Sequence, residues 1–199
     1  DSAPGHPQDP QDARQVLSDS GAHWLAGLLA HADGMAALCV PTTPGYQRFN
    51  GSVMAPCAPV WGFDNRGAML RVLGTPGSAA TRIENRLPEP MANPYLALAA
   101  QIAAGLDGLQ RCLEPGPPTD DPYAAMVQTP TTGSAAAAPR LPASLSDALT
   151  ALTADKVLQA MLGPSMAAVY DAVRRQELAR HAAAPDAAAW EAREYFGRF

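Results

Sequence analysis

The first regular pattern along the chain is an apolar stripe that begins after residue 18. Its members recur every three or four positions, and they are Trp24, Leu25, Leu28, Leu29, Ala32, Met35 and Leu38. This spacing places them on one face of an amphipathic helix. Ser18 is a suitable N-cap, and Pro41 follows the last apolar position. The sequence therefore predicts one helix from Ser18 to about Leu38, preceded by a polar, proline-rich loop over residues 1–16.

Residues 45–92 have a different pattern, in which short apolar pieces are separated by glycine and proline. The pieces are Val-Trp-Gly at 60–62, Met-Leu-Arg-Val at 69–72 and Arg-Ile-Glu-Asn-Arg at 82–86. Short apolar runs bounded by turn residues are typical of strands. We therefore expect strands joined by loops in this part of the chain.

Beyond residue 92 the helical pattern returns. Asn93 followed by Pro94 is typical of a helix start, and apolar residues continue at helical spacing to Leu109. The segment 114–142 is rich in proline, glycine, threonine and alanine. That composition predicts a long, mobile surface loop.

The C-terminal part, residues 143–199, predicts a helical tail. Ser144 and Asp147 have the spacing of a capping box and open a short helix through Leu152. Further helical segments are expected at about 155–162, 165–183 and 186–196. An order of helix, strands and then helices indicates an α+β fold.

Composition narrows the class of protein. Of the 199 residues 47% are hydrophobic, which is enough to bury a core. The net charge is −5, Lys156 is the only lysine, and no basic stripe occurs, so we expect no nucleic-acid partner. No apolar run reaches about 18 residues, and no charged and apolar leader is present, so we expect neither a membrane span nor a secretory signal.

The cysteines and histidines give no sign of a metal centre. The chain has three cysteines, Cys39, Cys57 and Cys112. An odd number of cysteines without a Cys-x-x-Cys pair predicts reduced thiols in a cytoplasmic protein. His31 lies on the apolar side of the first predicted helix, where we expect a hydrogen-bonded histidine of the core or its edge. His181 is near the end of a helix, where a cation is favoured.

Candidate chemistry is concentrated in the strand region. Side chains alternate along a strand, so Arg82, Glu84 and Arg86 share one face. Arginines bind phosphates and carboxylates through a fork of N–H groups, and a metal that bridges phosphates binds carboxylates. Spacing alone favours a salt-bridged, solvent-facing strand. Arg66 and Arg71 have opposite parity, so both can face one site only with a bulge or loop between them.

Several ordered motifs in this region resemble the glutamine synthetase family. Tyr46-Gln47-Arg48 resembles the family's Asn-Ser-Tyr-Lys-Arg segment, and the stretch 61–66 resembles its Asn-Arg segment, which is followed by the arginine at Arg71. Residues 82–86 match its Arg-Ile-Glu-x-Arg strand, and residues 89–96 match its Asp-Pro-x-Ala-Asn-Pro-Tyr-Leu segment. The match runs from Leu17 to about Leu109 with little or no gap and continues more loosely through the tail.

The resemblance implies a fold and a reaction. The chain would be the C-terminal portion of a glutamine-synthetase-type catalytic domain, with antiparallel strands covered by helices. Residues 17–113 would hold the active-site strands between two helices, 114–142 the mobile loop and 143–199 the helical tail. The enzyme would use ATP and Mg²⁺ or Mn²⁺ to phosphorylate the γ-carboxylate of glutamate. Ammonia or an organic amine would then displace the phosphate.

The resemblance also implies residue roles. Glu84 would be a metal ligand, and Arg66 and Arg71 would stabilise the transferring phosphoryl group. Arg82 would bind the nucleotide. The remaining pair, Arg48 and Arg86, would hold the carboxylate of the amino-acid substrate. The complete protein would form a homo-oligomeric ring, and the C-terminal helix either contributes to that ring or packs on its own domain.

Two departures from the family pattern concern the amine. True glutamine synthetases carry Glu-Ala-Pro where this chain has Met54-Ala55-Pro56, and a lysine where it has Ala79. A thioether neither attracts ammonium nor takes a proton from it. Met54 and the Trp-Gly-x-Asp-Asn-Arg motif more closely resemble the sequences of γ-glutamyl-amine ligases, such as the γ-glutamylputrescine synthetases. We therefore expect an organic amine, with glutamine synthetase proper as the alternative.

A further departure concerns the upstream half of the family pattern. The His-x-His-x-Ser segment and the other metal-binding glutamates are not found in residues 1–199. With Glu84 as the one matched metal ligand, we expect these residues to be inactive on their own. The alternative is a truncated, non-catalytic homologue that acts through assembly or structure.

Overall fold

The computed structural model describes residues 12–50, 55–123 and 139–197. In these ranges it contains six α-helices, two 3₁₀ helices and three strands. The α-helices are α1 (Asp19–Ala30), α2 (Ala32–Cys39), α3 (Pro94–Gln110), α4 (Leu145–Ala154), α5 (Lys156–Ala182) and α6 (Ala187–Tyr195). The 3₁₀ helices are Ala13–Gln15 and Pro44–Asn50, and the strands are β1 (Trp61–Phe63), β2 (Leu70–Leu73) and β3 (Arg82–Asn85). The predicted α+β class is confirmed.

Side-chain caps begin the helices where the sequence predicts them. The Ser18 hydroxyl accepts a hydrogen bond from the backbone N–H of Gly21 at 3.1 Å. Asn93 Oδ1 accepts from Tyr95 N at 3.0 Å at the start of α3, and Pro94 is the first residue of that helix. These oxygens satisfy backbone N–H groups that have no partner within the helix.

The prediction of one continuous helix from Ser18 to Leu38 is wrong at His31. That residue has φ −106° and ψ 11° and separates α1 from α2. Neither glycine nor proline marks the break in the sequence. Instead, the imidazole contacts Asp107 and Asp155, which belong to distant parts of the chain. A tertiary contact therefore overrides the local helical pattern.

The three strands form one sheet in the order β1-β2-β3. The expected antiparallel pairing holds for β2 and β3, where Arg71 lies opposite Glu84. It is wrong for β1 and β2, which run parallel with Gly62 opposite Arg71. A parallel pair ordinarily needs a crossover of a dozen or more residues. Here residues 64–69 suffice because each strand is so short that little distance must be covered on the return.

Helices cover the sheet and share a core with it. Trp61 and Leu70 of the sheet belong to the same buried cluster as Met35 of α2 and Leu149 of α4. Helices α1 and α3 cross closely, because a Cβ added at Gly108 would lie 2.1 Å from the carbonyl oxygen of His23. None of the described helices is both long and apolar enough to cross a lipid bilayer.

One end of the predicted loop 114–142 is hydrogen-bonded to β1, and the other end is hydrogen-bonded to the segment that precedes β1. The backbone N–H of Thr119 donates to the carbonyl of Trp61 (2.8 Å), and the Trp61 indole N–H donates to the carbonyls of Pro115 (3.2 Å) and Gly116 (3.1 Å). At the other end Leu141 N donates to Cys57 O at 3.0 Å. Residues 124–138 lie outside the described part, and the mobility of the loop stays a prediction.

The tail contains the predicted helices, and it packs on the body of the protein. Gly163, with φ 70° and ψ 159°, and Pro164 divide α5 into two helical halves. The Tyr170 hydroxyl donates to Ala37 O at 2.6 Å. Tyr195, at the end of α6, accepts through its hydroxyl oxygen from the backbone N–H of Thr43 at 3.4 Å. The C-terminal helix therefore packs on its own domain, and a contribution to ring assembly stays a prediction.

Candidate active site

The sheet brings four charged side chains together in what we call the sheet cluster: Asp64, Arg71, Glu84 and Arg86. Arg71 Nη1 donates to Glu84 Oε2 at 3.1 Å, and Arg86 Nη1 donates to Glu84 Oε1 at 2.6 Å. On the other side of Arg71, its Nε donates to Asp64 Oδ1 at 3.0 Å and its Nη2 donates to the same oxygen. The antiparallel register produces the central contact, since Arg71 and Glu84 are cross-strand partners.

The charges of the sheet cluster stabilise one another. The hydrogen bond from Arg86, and then the positive charge of Arg71, hold the pKa of Glu84 below its usual range. The hydrogen bond to Asp64, with the charge of that carboxylate, raises the pKa of Arg71. Glu84 is therefore ionised at neutral pH, and both of its oxygens accept hydrogen bonds from arginines.

Arg48 lies beside this cluster but makes different contacts. Its guanidinium donates to the carbonyls of Arg86 (3.2 Å), Leu87 and Pro88 (3.4 Å), and it lies over the ring of Phe49 with its Cζ 5.1 Å from the centroid. Burial lowers the pKa of Arg48. In this structure Arg48 thus binds the backbone that follows β3.

Arg66 and Arg82 lie at the edges of the candidate site. Arg66 is exposed in the turn between β1 and β2, which is the intervening loop that its parity with Arg71 requires. Arg82 opens β3, is exposed, and donates from Nη1 to Ala80 O at 2.9 Å. The structure therefore brings Arg71, Glu84 and Arg86 into direct contact, and places Arg66 and Arg82 on the exposed rim without a contact to that trio.

Asp64 belongs to the Trp-Gly-x-Asp-Asn-Arg motif but is not among the site residues that the sequence predicts. Its contact with Arg71 depends on the parallel pairing of β1 and β2, which the pattern did not predict. A signal was nevertheless available, because an acidic residue directly after a short apolar strand lies at the sheet edge. Such a residue is well placed to pair with an arginine on the neighbouring strand.

A second charged group, which we call the helix-junction cluster, consists of His31, Asp107, Asp155 and Arg111. The distances are 2.7 Å from His31 Nδ1 to Asp155 Oδ2 and 3.0 Å from His31 Nε2 to Asp107 Oδ2. Arg111 Nη1 donates to Asp107 Oδ2 at 2.9 Å. His31 is 7% exposed. The expectation of a hydrogen-bonded histidine at the core or its edge is confirmed.

The described residues do not make a metal site by themselves. They contain no group of three or more histidine, cysteine, aspartate or glutamate side chains able to hold a metal ion. Glu84, the matched ligand, directs both oxygens to arginines. The three cysteines are free thiols, with Cys39 and Cys57 buried. Met54 lies outside the described residues.

A cavity of about 500 Å³ lies away from the sheet cluster, between the tail and the segment that leads into α3. Pro90–Pro94, Tyr170, Arg174 and Tyr195 contribute to its wall. Arg174 there donates to Glu177 at 2.7 Å and to the carbonyl of Pro41 at 3.2 Å. None of the predicted site residues lines this cavity.

Comparison with known proteins identifies a family over nearly the whole chain. Residues 7–195 match the family model for the glutamine synthetase catalytic domain. The chain is 38% identical over 192 residues to the gamma-glutamylanilide synthase of an Acinetobacter species. It is 42% identical over 155 residues to the glutamate–methylamine ligase of Methyloversatilis universalis and 38% identical over 157 residues to the glutamine synthetase of Archaeoglobus fulgidus.

These matches cover most of this chain but a minor part of each relative. The shares of this chain are 92%, 75% and 78%, and the corresponding shares of the relatives are 36%, 33% and 31%. The chain therefore spans about a third of the length of these curated relatives.

Solved structures agree with the family match. The structure "GmaS/ADP complex-Conformation 1" superposes with a TM-score of 0.74 at 35% identity and covers 94% of this chain and 41% of that chain. "Apo GmaS without ligand" gives a TM-score of 0.70 at 34% identity. The expected glutamine-synthetase fold is confirmed for this part of the protein.

Proposed function

Because the chain belongs to the glutamine synthetase catalytic-domain family, we propose that it forms the arginine-rich part of an ATP-dependent ligase that joins glutamate to an organic amine. The observation that carries this proposal is the sheet cluster. It presents Arg71 and Arg86 on either side of one ionised carboxylate, on the strand whose sequence matches the family's Arg-Ile-Glu-x-Arg motif.

The first step of the proposed reaction forms a bond between an oxygen of the glutamate γ-carboxylate and the γ-phosphorus of ATP. The bond between that phosphorus and the β–γ bridging oxygen breaks, and ADP leaves with the electron pair. Negative charge accumulates on the phosphoryl oxygens, and arginines that are already oriented towards them lower the barrier. Arg71 and Arg66 are assigned to this charge, and Arg82 to the nucleotide.

In the second step the amine nitrogen attacks the acyl carbon of γ-glutamyl phosphate. The C–N bond forms, the C–O bond breaks and phosphate leaves with its electron pair, and the nitrogen loses a proton to water. Arg48 and Arg86 are assigned to the carboxylate of the amino-acid substrate, which keeps the acyl group in place. The assignment of Arg48 rests on the family motif, because the hydrogen bonds that its guanidinium makes in this structure go to the backbone carbonyls of residues 86–88.

The preference for an organic amine rests on two independent observations. Met54 stands where glutamine synthetases carry the glutamate of the ammonium site, and a thioether offers an apolar surface to an alkyl or aryl amine. Relatives at 38% and 42% identity are a gamma-glutamylanilide synthase and a glutamate–methylamine ligase. We extend the amine class, and not either particular amine, to this protein.

The metal requirement stays outside the mechanism assigned to these residues. The family resemblance implies Mg²⁺ or Mn²⁺ with ATP, and Glu84 is the one matched ligand in this chain. Because the described residues do not complete a metal site, no step is assigned through the ion here. Ligands from other parts of a longer polypeptide are required by this proposal. A homo-oligomeric ring in the cytoplasm also stays a prediction.

The experiment that tests the proposed function measures phosphate release by the full-length protein that carries this chain. The assay contains ATP, glutamate, Mg²⁺ and either ammonia or one of a panel of methyl-, ethyl- and arylamines. We expect kcat/KM for at least one organic amine to exceed that for ammonia. A much higher kcat/KM for ammonia than for every organic amine would instead support the alternative function, that of glutamine synthetase proper.

A second candidate function, that of a non-catalytic homologue with a structural role, has one observation in its favour. Both oxygens of Glu84, the one matched metal ligand, accept hydrogen bonds from arginines. The same assay on residues 1–199 alone is expected to give no phosphate above the enzyme-free control. If the full-length protein also gives none with any amine, the structural role is the better account.

A further inference from the structure

The position of Asp64 is fixed by an unusual backbone conformation. It follows β1 directly and has φ 45°, in the left-handed region that few residues other than glycine adopt. Its backbone N–H donates to Val72 O at 2.9 Å, which ties this conformation to β2. Aspartate and asparagine tolerate the left-handed region better than most residues. The sheet therefore sets the direction in which the carboxylate leaves the backbone.

That carboxylate holds one edge of the Arg71 guanidinium. Asp64 Oδ1 accepts hydrogen bonds from both Nε and Nη2, and Glu84 Oε2 accepts from Nη1 at 3.1 Å. An arginine has five N–H bonds in one plane. With three engaged among the described residues, one N–H on each terminal nitrogen is left to meet a substrate oxygen.

We propose that Asp64 is a positioning residue of the ligase reaction, acting through Arg71. Its carboxylate fixes the plane of the guanidinium so that the remaining N–H bonds meet the transferring phosphoryl group. This inference rests on the proposed function, and it adds a residue to the assigned site. Glu84 alone holds Arg71 by one nitrogen, which leaves the guanidinium free to rotate about that contact, whereas two carboxylates on different nitrogens fix it.

A simple surface salt bridge would have different consequences. The Asp64 side chain is 74% exposed, and exposed ion pairs add little to stability. Losing such a pair changes neither the melting temperature nor the turnover. A residue that orients a transition-state donor changes turnover while leaving the melting temperature and the KM for glutamate nearly unchanged.

The test uses the full-length protein and two variants that keep the left-handed backbone. Asp64→Asn removes the charge at constant shape, and Asp64→Gly removes the whole side chain at a φ that glycine adopts freely. Asp171→Asn is the matched control, because Asp171 accepts from Arg175 Nε at 2.8 Å in an exposed pair on α5. Phosphate release gives kcat and KM for glutamate, and circular dichroism gives Tm.

For both Asp64 variants we expect kcat to fall roughly 10-fold or more, since a small misorientation of a catalytic group is costly. KM for glutamate stays within about 3-fold and Tm within about 2 °C, because only an exposed pair is lost. The control keeps kcat within about 2-fold by the same reasoning. In an Arg71→Ala background, Asp64→Asn adds no further loss, because the two residues act as a unit.

Two results would overturn the inference while leaving the proposed function intact. In the first, Asp64→Asn keeps the kcat of the wild type. In the second, kcat falls only in step with a lowered Tm, which is the mark of a structural role. If the wild-type protein itself releases no phosphate with any amine, the proposed function fails, and the assignment of Asp64 fails with it.

Discussion

The sheet cluster and the helix-junction cluster are both built from alternating acidic and basic side chains, yet they differ in exposure and in the charges that surround them. In the helix-junction cluster His31 is enclosed, with side-chain exposures of 8% for His31 and 12% for each of Asp107 and Asp155. In the sheet cluster Asp64 is 74% exposed and Glu84 33% exposed. The helix-junction cluster is therefore enclosed around His31, with Arg111 at its exposed end (58%), whereas the carboxylates of the sheet cluster are open to solvent.

The surrounding charges separate the clusters further. The sheet cluster has two carboxylates and two arginines, but Arg66 and Arg82 on its rim give residues 55–86 four arginines and two acidic residues, and therefore an excess of positive charge. The helix-junction cluster pairs two carboxylates with one arginine and one histidine, and the carboxylate of Asp155 also caps α5. A balanced, enclosed network stabilises the fold, whereas an open network with spare guanidinium N–H groups is able to bind anions.

The largest expected effect of a single substitution is on catalysis at the open cluster. Arg71→Ala removes a donor to the developing phosphoryl charge, and losing one such donor lowers kcat by about 10²–10³-fold, or ~3–4 kcal/mol. Phosphate release by the full-length protein with glutamate, ATP and the best amine measures it. Arg175→Ala, which removes an exposed arginine of α5, is the control and should leave kcat unchanged. Equal activities of the two variants would remove the distinction between the open cluster and an ordinary surface pair.

The next effect is on stability at the enclosed cluster. His31→Ala leaves the carboxylates of Asp107 and Asp155 buried without their shared partner, and breaking a buried pair costs about 3 kcal/mol. Urea denaturation gives the free energy of unfolding. His23→Ala is a suitable control, because His23 Nδ1 lies 2.8 Å from a backbone carbonyl, that of Leu113. We expect the control to lose less than half as much, and a similar loss in both variants would contradict the special status of His31.

The smallest expected effect is on the pH dependence of the stability that His31 contributes. The hydrogen bond to Asp155, with the nearby Asp107, raises the pKa of His31. Burial opposes ionisation of Asp107 and Asp155, but the hydrogen bonds with His31, together with Arg111 at Asp107 and the backbone N–H groups of α5 at Asp155, outweigh it and lower the pKa of each carboxyl. The histidine therefore contributes stability that is full below the unfolded value of about 6.5 and is lost as the pH rises through the raised pKa. The carboxyls contribute stability that is present above about 3.9 and is lost as the pH falls through their lowered pKa values.

The corresponding measurement compares wild type with His31→Asn by urea denaturation at about pH 6 and about pH 9. The difference in unfolding free energy should be larger at the lower pH, where the imidazole is charged. Subtracting the variant removes the contributions of all other titrating groups that the substitution leaves alone. A difference that stays constant, or grows towards pH 9, would show that the imidazole is neutral in the folded protein.

The two clusters were not equally visible in the sequence. The spacing of Arg82, Glu84 and Arg86 predicts that they share one strand face, because alternation in a strand is a local property. The sequence does not predict the role of Asp64, because its contact needs the parallel pairing of β1 and β2, and apolar patterning does not specify strand direction. The family resemblance identified the fold more firmly than the periodicity did.

The break between α1 and α2 also depends on tertiary contacts that local sequence patterns do not predict. Caps such as Ser18 and Asn93 were predicted because they act within a few residues of the helix start. The interruption at His31 was not, because it depends on residues that are 76 and 124 positions away. Local signals thus predicted where helices begin, and tertiary hydrogen bonds decided where one of them is divided.

The central claim is that glutamate is activated by phosphorylation, and isotope transfer tests it most directly. The full-length protein is given ATP, an amine and glutamate labelled with ¹⁸O in the γ-carboxylate, and the released phosphate is analysed by mass spectrometry. The account predicts one labelled oxygen in each phosphate, because a carboxylate oxygen forms the bond to phosphorus and leaves with it. Phosphate without label, released in step with amide formation, would contradict an acyl phosphate and with it the function assigned to the sheet cluster.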